Sequence, residues 1–360
     1  MSDAVDSESW SRIVDQLGGW SHLEAGGRAA GAFQRPRAVK DAPTLLRLIL
    51  MYGPGGNSLR GTCALAAASG IAVLSDVSLL ERFRVSGRWL EGLCSERLGL
   101  LAKQTGVTND RPIRIVDGTR IPGPGGRAYR LHLAYDLPEG RISEARLTDL
   151  SGAEKLTHAP VRPGEIRLAD RCYPRPDDLA AVLDEGADVV VRLTWSSLRL
   201  LNPDKSPFDF DRVYRRAEID GHAQAEVLVD KAKAPKSFKP FPLRLVAIRN
   251  PPEAIERSRK RVMRSSSKAQ NRIDPRTLKA AEYVLLLTSL PAETHSPEKI
   301  GALYRLRWQI ELAIKRLKSI LHFDRLPAKD PDLARTWILA NLLTALLIEE
   351  KRADLGNFFP

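Results

Sequence analysis

Cysteine is scarce and poorly placed for cross-linking: the 360 residues hold three, Cys63, Cys94 and Cys172. An odd number at such wide spacing supplies neither a disulfide framework nor a zinc-binding pattern, and fits a reducing compartment. The six histidines show no H-x3-H pair. No apolar run reaches the length that spans a bilayer, and Met1 to Trp10 is acidic and polar where a leader would be charged and then apolar. These absences lead to the expectation of a cytoplasmic chain with no membrane partner. Acids are also in deficit, 44 Asp and Glu against 56 Lys and Arg, for a net charge of +12. A polyanionic partner is expected, nucleic acid before membrane, with a merely basic protein as the alternative.

The length suits two or three modules around a full core. Trp10, Ile13, Val14, Leu17 and Trp20 give the best helical spacing near the start. Leu45, Leu46, Leu48 and Ile49 predict a buried helix broken at Gly53-Pro54-Gly55-Gly56. Ser58 then caps a helix through Ala68, Gly70 turns the chain, and Asp76-Val77-Ser78 opens another with Leu79, Leu80 and Phe83. With Arg82, Arg84 and Arg88, this unit reads equally as a DNA-binding helix-turn-helix or as part of a plain helical bundle.

The pattern changes at Arg111. Pro112 to Asp117 reads as a strand ending on a carboxylate, followed by Gly118-Thr119 and the turn Pro122-Gly123-Pro124-Gly125-Gly126. Tyr129 to Tyr135 alternates as a half-buried strand, and Pro138-Glu139-Gly140 turns it into Arg141 to Asp149, an antiparallel meander. Glu165 to Asp170 is a second short strand ending on an aspartate, followed by a helix from Pro176 and an apolar strand, Ala187 to Thr194. The class is mixed α/β. From Trp195 to Arg249 the runs Ala225 to Val229 and Leu243 to Ile248 predict strands without long helices between them. Arg257 to Lys279 holds nine basic residues against one acid, Asp274, which fits a solvated mobile segment or a phosphate-tracking arm. Tyr283 to Leu290 reads as a central strand covered on both faces. Ser296-Pro297-Glu298 starts a helix, and a last apolar helix covers Leu333 to Glu350.

The helix after Pro297 has the most pointed pattern. At 100° per residue, Tyr304, Arg307, Glu311, Lys315 and Lys318 share a sector of roughly 80°, while Leu303, Leu306, Ile310, Ile314, Leu317 and Leu321 form the apolar side. The charged stripe is either a solvated face, with Glu311 and Lys315 paired at i,i+4, or the margin of a site. Asp117 and Asp170 favour the second reading if their strands are neighbours, because strand ends about 4.8 Å apart let two carboxylates flank hard cations. Two-metal phosphoryl transfer needs such a shell, and a helix-borne carboxylate would complete it.

Tyr304, Arg307, Glu311 and Lys318 reproduce Y-x2-R-x3-E-x6-K, and the chain resembles bacterial insertion-sequence transposases of the DDE class, in the insertion-sequence-four family. Asp117-Gly118-Thr119 resembles that family's first aspartate motif, and Ala169-Asp170-Arg171-Cys172-Tyr173 its second, with Cys172 where the family usually has Gly. The resemblance covers about Leu45 to Ala345. It implies an α/β ribonuclease-H-like mixed sheet flanked by helices. Residues 1–108 would be an N-terminal helical, helix-turn-helix-like DNA-binding region and 109–194 the first part of the core. Residues 195–280 would be a β-rich insertion with the basic segment, and 281–360 the second part with C-terminal helices. It further implies that Asp117, Asp170 and Glu311 bind two Mg²⁺, with Mn²⁺ as a substitute, and that Tyr304, Arg307 and Lys318 contact DNA phosphates. The implied function is cut-and-paste transposition on terminal repeats and target DNA, by a homodimer in the synaptic complex and near the nucleoid. A non-cutting DNA-binding relative and a metal-dependent nuclease without strand transfer are the competing readings. Trp195 either stacks on an extruded base or is a core tryptophan at a strand end.

Overall fold

The structure is a computed structural model that describes residues 2–103, 111–124, 128–137, 141–231, 235, 238–308, 310–311, 314–315, 318 and 326–356. The strands are β1 (Ile113–Pro122), β2 (Ala128–Leu137), β3 (Arg141–Asp149), β4 (Ile166–Ala169), β5 (Asp188–Leu193), β6 (Arg199–Leu201), β7 (His222–Asp230), β8 (Phe241–Arg249) and β9 (Tyr283–Thr288). They form one sheet in the order β3-β2-β1-β4-β5-β9-β8-β7-β6. Strands β1 to β3 are the expected antiparallel meander, although the Pro138-Glu139-Gly140 turn lies outside the described residues. β4 runs parallel to β1 and β5 parallel to β4, which completes the ribonuclease-H-like mixed sheet.

β9 is central as its apolar run predicts, and it pairs antiparallel with both β5 and β8. Through it, β6 to β8 continue the same sheet. The stretch after Trp195 is also richer in helix than its sequence predicts. It contains α8 (Phe210–Asp220), α9 (Pro252–Ala269) and α10 (Pro275–Ala280), so the basic segment from Arg257 to Lys279 is largely helical. Its many charges mask a helical period that the serines and β-branched neighbours do not break. Trp195 is partly buried, donates to Thr277 Oγ1 at 3.1 Å and lies 4.3 Å beneath the Arg276 guanidinium, so it packs at a strand end.

One face of the sheet shares an apolar core with the N-terminal helices α1 (Ser2–Gln16), α2 (Trp20–Ala29), α3 (Ala42–Tyr52), α4 (Leu59–Ala68), α5 (Asp76–Arg84) and α6 (Gly87–Lys103) and with the C-terminal α12 (Pro331–Gly356), α6 packing directly on β3. Helices α1 to α6 therefore share a core with the C-terminal helix. α1 and α2 separate at Gly18 and Gly19, both at positive φ. Asp41, Ser58 and Ser75 cap α3, α4 and α5 through their side chains. Leu45, Leu46, Leu48 and Ile49 are all fully buried, each worth about 1.5–3 kcal/mol relative to exposure. Arg84 is drawn inward to Asp330 at 2.9 Å and Arg82 is half-buried, leaving Arg88 as the exposed arginine of the three proposed for DNA. Against the expectation that no run reaches spanning length, among the described residues Pro331–Ile348 of α12 is long and apolar enough to cross a membrane, and 72% of that stretch is buried in this fold.

The other face carries α7 (Pro176–Asp184) and α8 over a second apolar cluster. On this side of β1 and β4, Arg114 and Arg167 lie opposite each other in register and are both buried. Arg114 pairs with Asp136 at 2.8 Å and Glu165 at 3.4 Å, Arg167 pairs with Glu165 as well, and carbonyls of Ala159 and Pro160 accept the remaining donors. Removing one partner from such a buried set costs about 3–5 kcal/mol, so the network pins the β1–β4 register.

Candidate active site

The β1–β4 register places the two aspartates. Ile113 lies opposite Ile166 and Ile115 opposite Leu168, and continuing that register two residues brings Asp117 toward Asp170, whose charge reaches the Asp117 carboxyl. Alternation along a strand puts Ile113, Ile115 and Asp117 on one face, and Ile166, Leu168 and Asp170 with them, facing the N- and C-terminal helices. Asp170 follows β4 directly, as expected. Asp117 does not end its strand: β1 continues to Pro122 on β2 alone, because the 118–122 backbone finds a full antiparallel partner there. What ends near Asp117 is the parallel ladder.

Each aspartate is held by a nearby amide. Asp117 Oδ1 accepts from Gly118 N at 2.8 Å and Asp170 Oδ1 from Cys172 N at 2.7 Å. Cys172 has no positive φ, which explains why this turn accepts a residue other than glycine. Gly118 has a packing reason: a Cβ there would meet Glu154 Oε1 at 3.2 Å and the Tyr173 hydroxyl at 3.4 Å. Beside Asp117 a cavity of about 30 Å³ is lined by His132, Glu144, His158 and Tyr173. Burial, with His158 next to it, brings His132 down to about 4, so it is neutral at physiological pH. Burial raises the Asp117 carboxyl to about 6; the Gly118 amide and Arg307 oppose the rise, and Asp170 and Glu311 add to it.

The signature helix is interrupted. α11 (Pro297–Arg305), capped by Ser296, ends before a turn at Leu306–Arg307, where Leu306 N bonds Leu303 O and Arg307 N bonds Tyr304 O. Helical residues resume at Trp308 and include Ile310, Glu311, Ile314, Lys315 and Lys318. A single 100° period therefore does not hold from Tyr304 to Lys318, and Leu306, expected on the apolar side, is exposed. Ile300, Ile310 and Ile314 do dock on the core; Leu317 and Leu321 lie outside the described residues. The turn delivers Arg307 between two carboxylates: Nη1 lies 3.6 Å from Asp117 Oδ2, and Nη2 pairs with Glu311. Glu311 thus pairs with Arg307 where the helix spacing predicted Lys315. The guanidinium also lies 5.7 Å from the Tyr304 ring, whose hydroxyl is buried. Lys318 is half-buried and Lys315 exposed.

Arg307 and Tyr304 border a groove of about 550 Å³ whose floor is Ile248, Val284 and Leu286. Arg192, Arg249, Arg305 and Arg307 line it against one carboxylate, Glu298, so its charge suits a phosphodiester chain. Sequence reasoning passed over Arg192, Arg249 and the exposed Trp308. Arg192 left a signal, because it is the one charge inside the apolar run from Val189 to Leu193 and shares the parity of Val190 on the site face.

The donor chemistry fits hard divalent cations: three carboxylates that sense one another, with Asp117 pushed toward protonation chiefly by burial and further by Asp170 and Glu311. Among the described residues no three such groups already stand at metal-holding separations. Glu311 is paired with Arg307.

Comparison with known proteins gives the family. Residues 108–347 match the family described as "Transposase DDE domain". The chain is 42% identical over 346 residues to the putative transposase InsL for insertion sequence element IS186A of Escherichia coli K12, covering 95% of this chain and 94% of that protein. It is also 42% identical over 347 residues to the transposase for insertion sequence element IS421 of Escherichia coli, with the same coverage. A more distant relative, the transposase for IS231E of Bacillus thuringiensis subsp. finitimus, is 24% identical over 256 residues, covering 61% of this chain and 52% of its own length.

Proposed function

The chain belongs to the transposase DDE domain family, and from that premise we propose that Asp117, Asp170 and Glu311 are its catalytic carboxylates, acting on DNA at insertion-sequence ends. The observation that supports this reading is that Arg307 bridges Asp117 and Glu311, while Asp170, just past the strand paired with β1, is near enough to raise the Asp117 carboxyl. Membership of the family implies divalent-metal dependence; we assign two Mg²⁺, replaceable by Mn²⁺, to these three side chains. Bound there, the cations would supply activation of the attacking oxygen and charge stabilisation at the leaving oxygen.

The remaining roles fall to the protein's own groups. Arg307 and Lys318 hold phosphate oxygens by charge, and the Tyr304 hydroxyl supports Arg307 and donates a hydrogen bond. Because one guanidinium serves both Glu311 and DNA, entry of a phosphate releases Glu311 to close the carboxylate set. The arginine-lined groove guides the strand. The same reading gives terminal-repeat and target DNA as partners, a homodimer when two ends are paired, and a place at the nucleoid in the cytoplasm.

The test is cleavage of labelled duplex bearing the inverted repeats that flank the coding frame. Wild-type protein should nick it with Mg²⁺ or Mn²⁺ and then join the 3′ end to a second duplex. Asp170→Asn and Glu311→Gln should abolish nicking while leaving DNA affinity nearly intact. Undiminished nicking by both variants refutes the assignment. Hydrolysis without joined products would favour the nuclease reading.

A further inference from the structure

α9 carries four cations that the fold does not use. Arg257, Arg261, Arg264 and Lys268 follow a 4-3-4 spacing, which gathers them within roughly 60° of the helix circumference over about 16 Å of its length. All four are exposed, and among the described residues none pairs with a carboxylate. The neighbouring cations are committed: Arg259 to Glu282 at 2.6 Å, and Lys260 to Glu256. α9 has no buried residue, so packing contributes little to an 18-residue helix that also concentrates like charge. A polyanion laid along the stripe would relieve that repulsion.

The stripe faces away from the catalytic groove. Ile255, Arg259 and Met263 point to the opposite side of the helix, where they border a second groove of about 660 Å³. That groove shares Arg249 and Asn250 with the one reaching Arg307. A strand bound at Arg307 and a duplex bound on the stripe therefore occupy different sides of α9.

We propose that this stripe is a second, sequence-independent duplex-DNA surface, which grips phosphates of DNA lying outside the catalytic groove. Resting on the transposase reading above, it assigns the basic helix to DNA other than the strand being cut. α9 contains no Asn or Gln with which to read adenine, and arginine and lysine on an exposed face serve the backbone first. Two DNA segments share this chemistry, the flank of the element end and the target duplex.

The experiment uses the full chain with Arg257→Gln, Arg261→Gln, Arg264→Gln and Lys268→Gln combined, changes that preserve helix propensity. Affinity is measured against salt in two titrations: end-bearing duplex on free protein, and an unrelated duplex on protein already holding a precut end. Each lost phosphate contact should flatten the log–log slope by about 0.9, so the full stripe removes about 3–4 and shrinks the affinity loss between 50 and 200 mM salt by about a hundredfold. A change in the first titration assigns the stripe to end flanks, and one in the second to target. Unchanged slopes in both overturn the proposal. The variant with Arg257→Lys, Arg261→Lys and Arg264→Lys should keep the wild-type slope, because the slope counts charges; a slope lost there too overturns it as well. Single-turnover nicking at saturating DNA reads the catalytic assignment separately and should be unaffected.

Discussion

Asp117→Asn should make the protein more stable while removing its activity. Asp117 is 17% exposed, and its carboxyl is raised from 3.8 to about 6, chiefly by burial. A carboxyl raised in the folded state penalises folding at pH above its folded value. The penalty is relieved as pH falls toward the unfolded value. At pH 7.5 the full difference amounts to about 3 kcal/mol, and at pH 4.5 about 1 kcal/mol of it remains. For a chain of this size about 3 kcal/mol raises the melting midpoint by about 4 °C. The weak 3.6 Å contact with Arg307 is lost in the variant and trims this gain slightly, while the Arg307–Glu311 pair persists. The assay is thermal and urea denaturation of both proteins in EDTA from pH 4.5 to 8. A variant no more stable than wild type at pH 7.5, or a gain that does not shrink toward pH 4.5, would refute the argument that burial strains this carboxylate.

Arg307→Ala removes the cation that pulls Asp117 down, so the pH at which stability begins to rise on acidification should move above about 6; it should also slow end cleavage by about a hundredfold. An unmoved pH profile would show that Arg307 does not reach Asp117. Trp195→Ala should cost about 2 kcal/mol in urea denaturation, through lost packing and the Thr277 bond, and leave the cleavage rate of folded protein unchanged. Loss of cleavage at full stability would restore the base-stacking role.

The chemistry was more legible than the geometry. Asp117, Asp170 and Glu311 could be picked out because each carboxylate stands beside an apolar segment that fixes its element. The strand pairing could be posed only as a condition, since nothing local to either strand specifies a parallel neighbour 53 residues away. The break at Leu306–Arg307 was hidden because a one-turn interruption leaves the apolar spacing of Ile310 and Ile314 intact. The resemblance implies a phosphate contact for Arg307. Its place between Asp117 and Glu311 follows from that turn and from the sheet below, and neither is visible in a helical wheel.

The unbroken sheet acts as a ruler. From β1, which bears Asp117, to β8, which feeds α9, the order β1-β4-β5-β9-β8 spans four inter-strand steps, about 19 Å at the hydrogen-bonded spacing. No hinge lies in that span. Whatever DNA rests on α9 is held at a set offset from the carboxylates by backbone hydrogen bonds, and a strand added or lost between β5 and β8 would change that offset by about 5 Å.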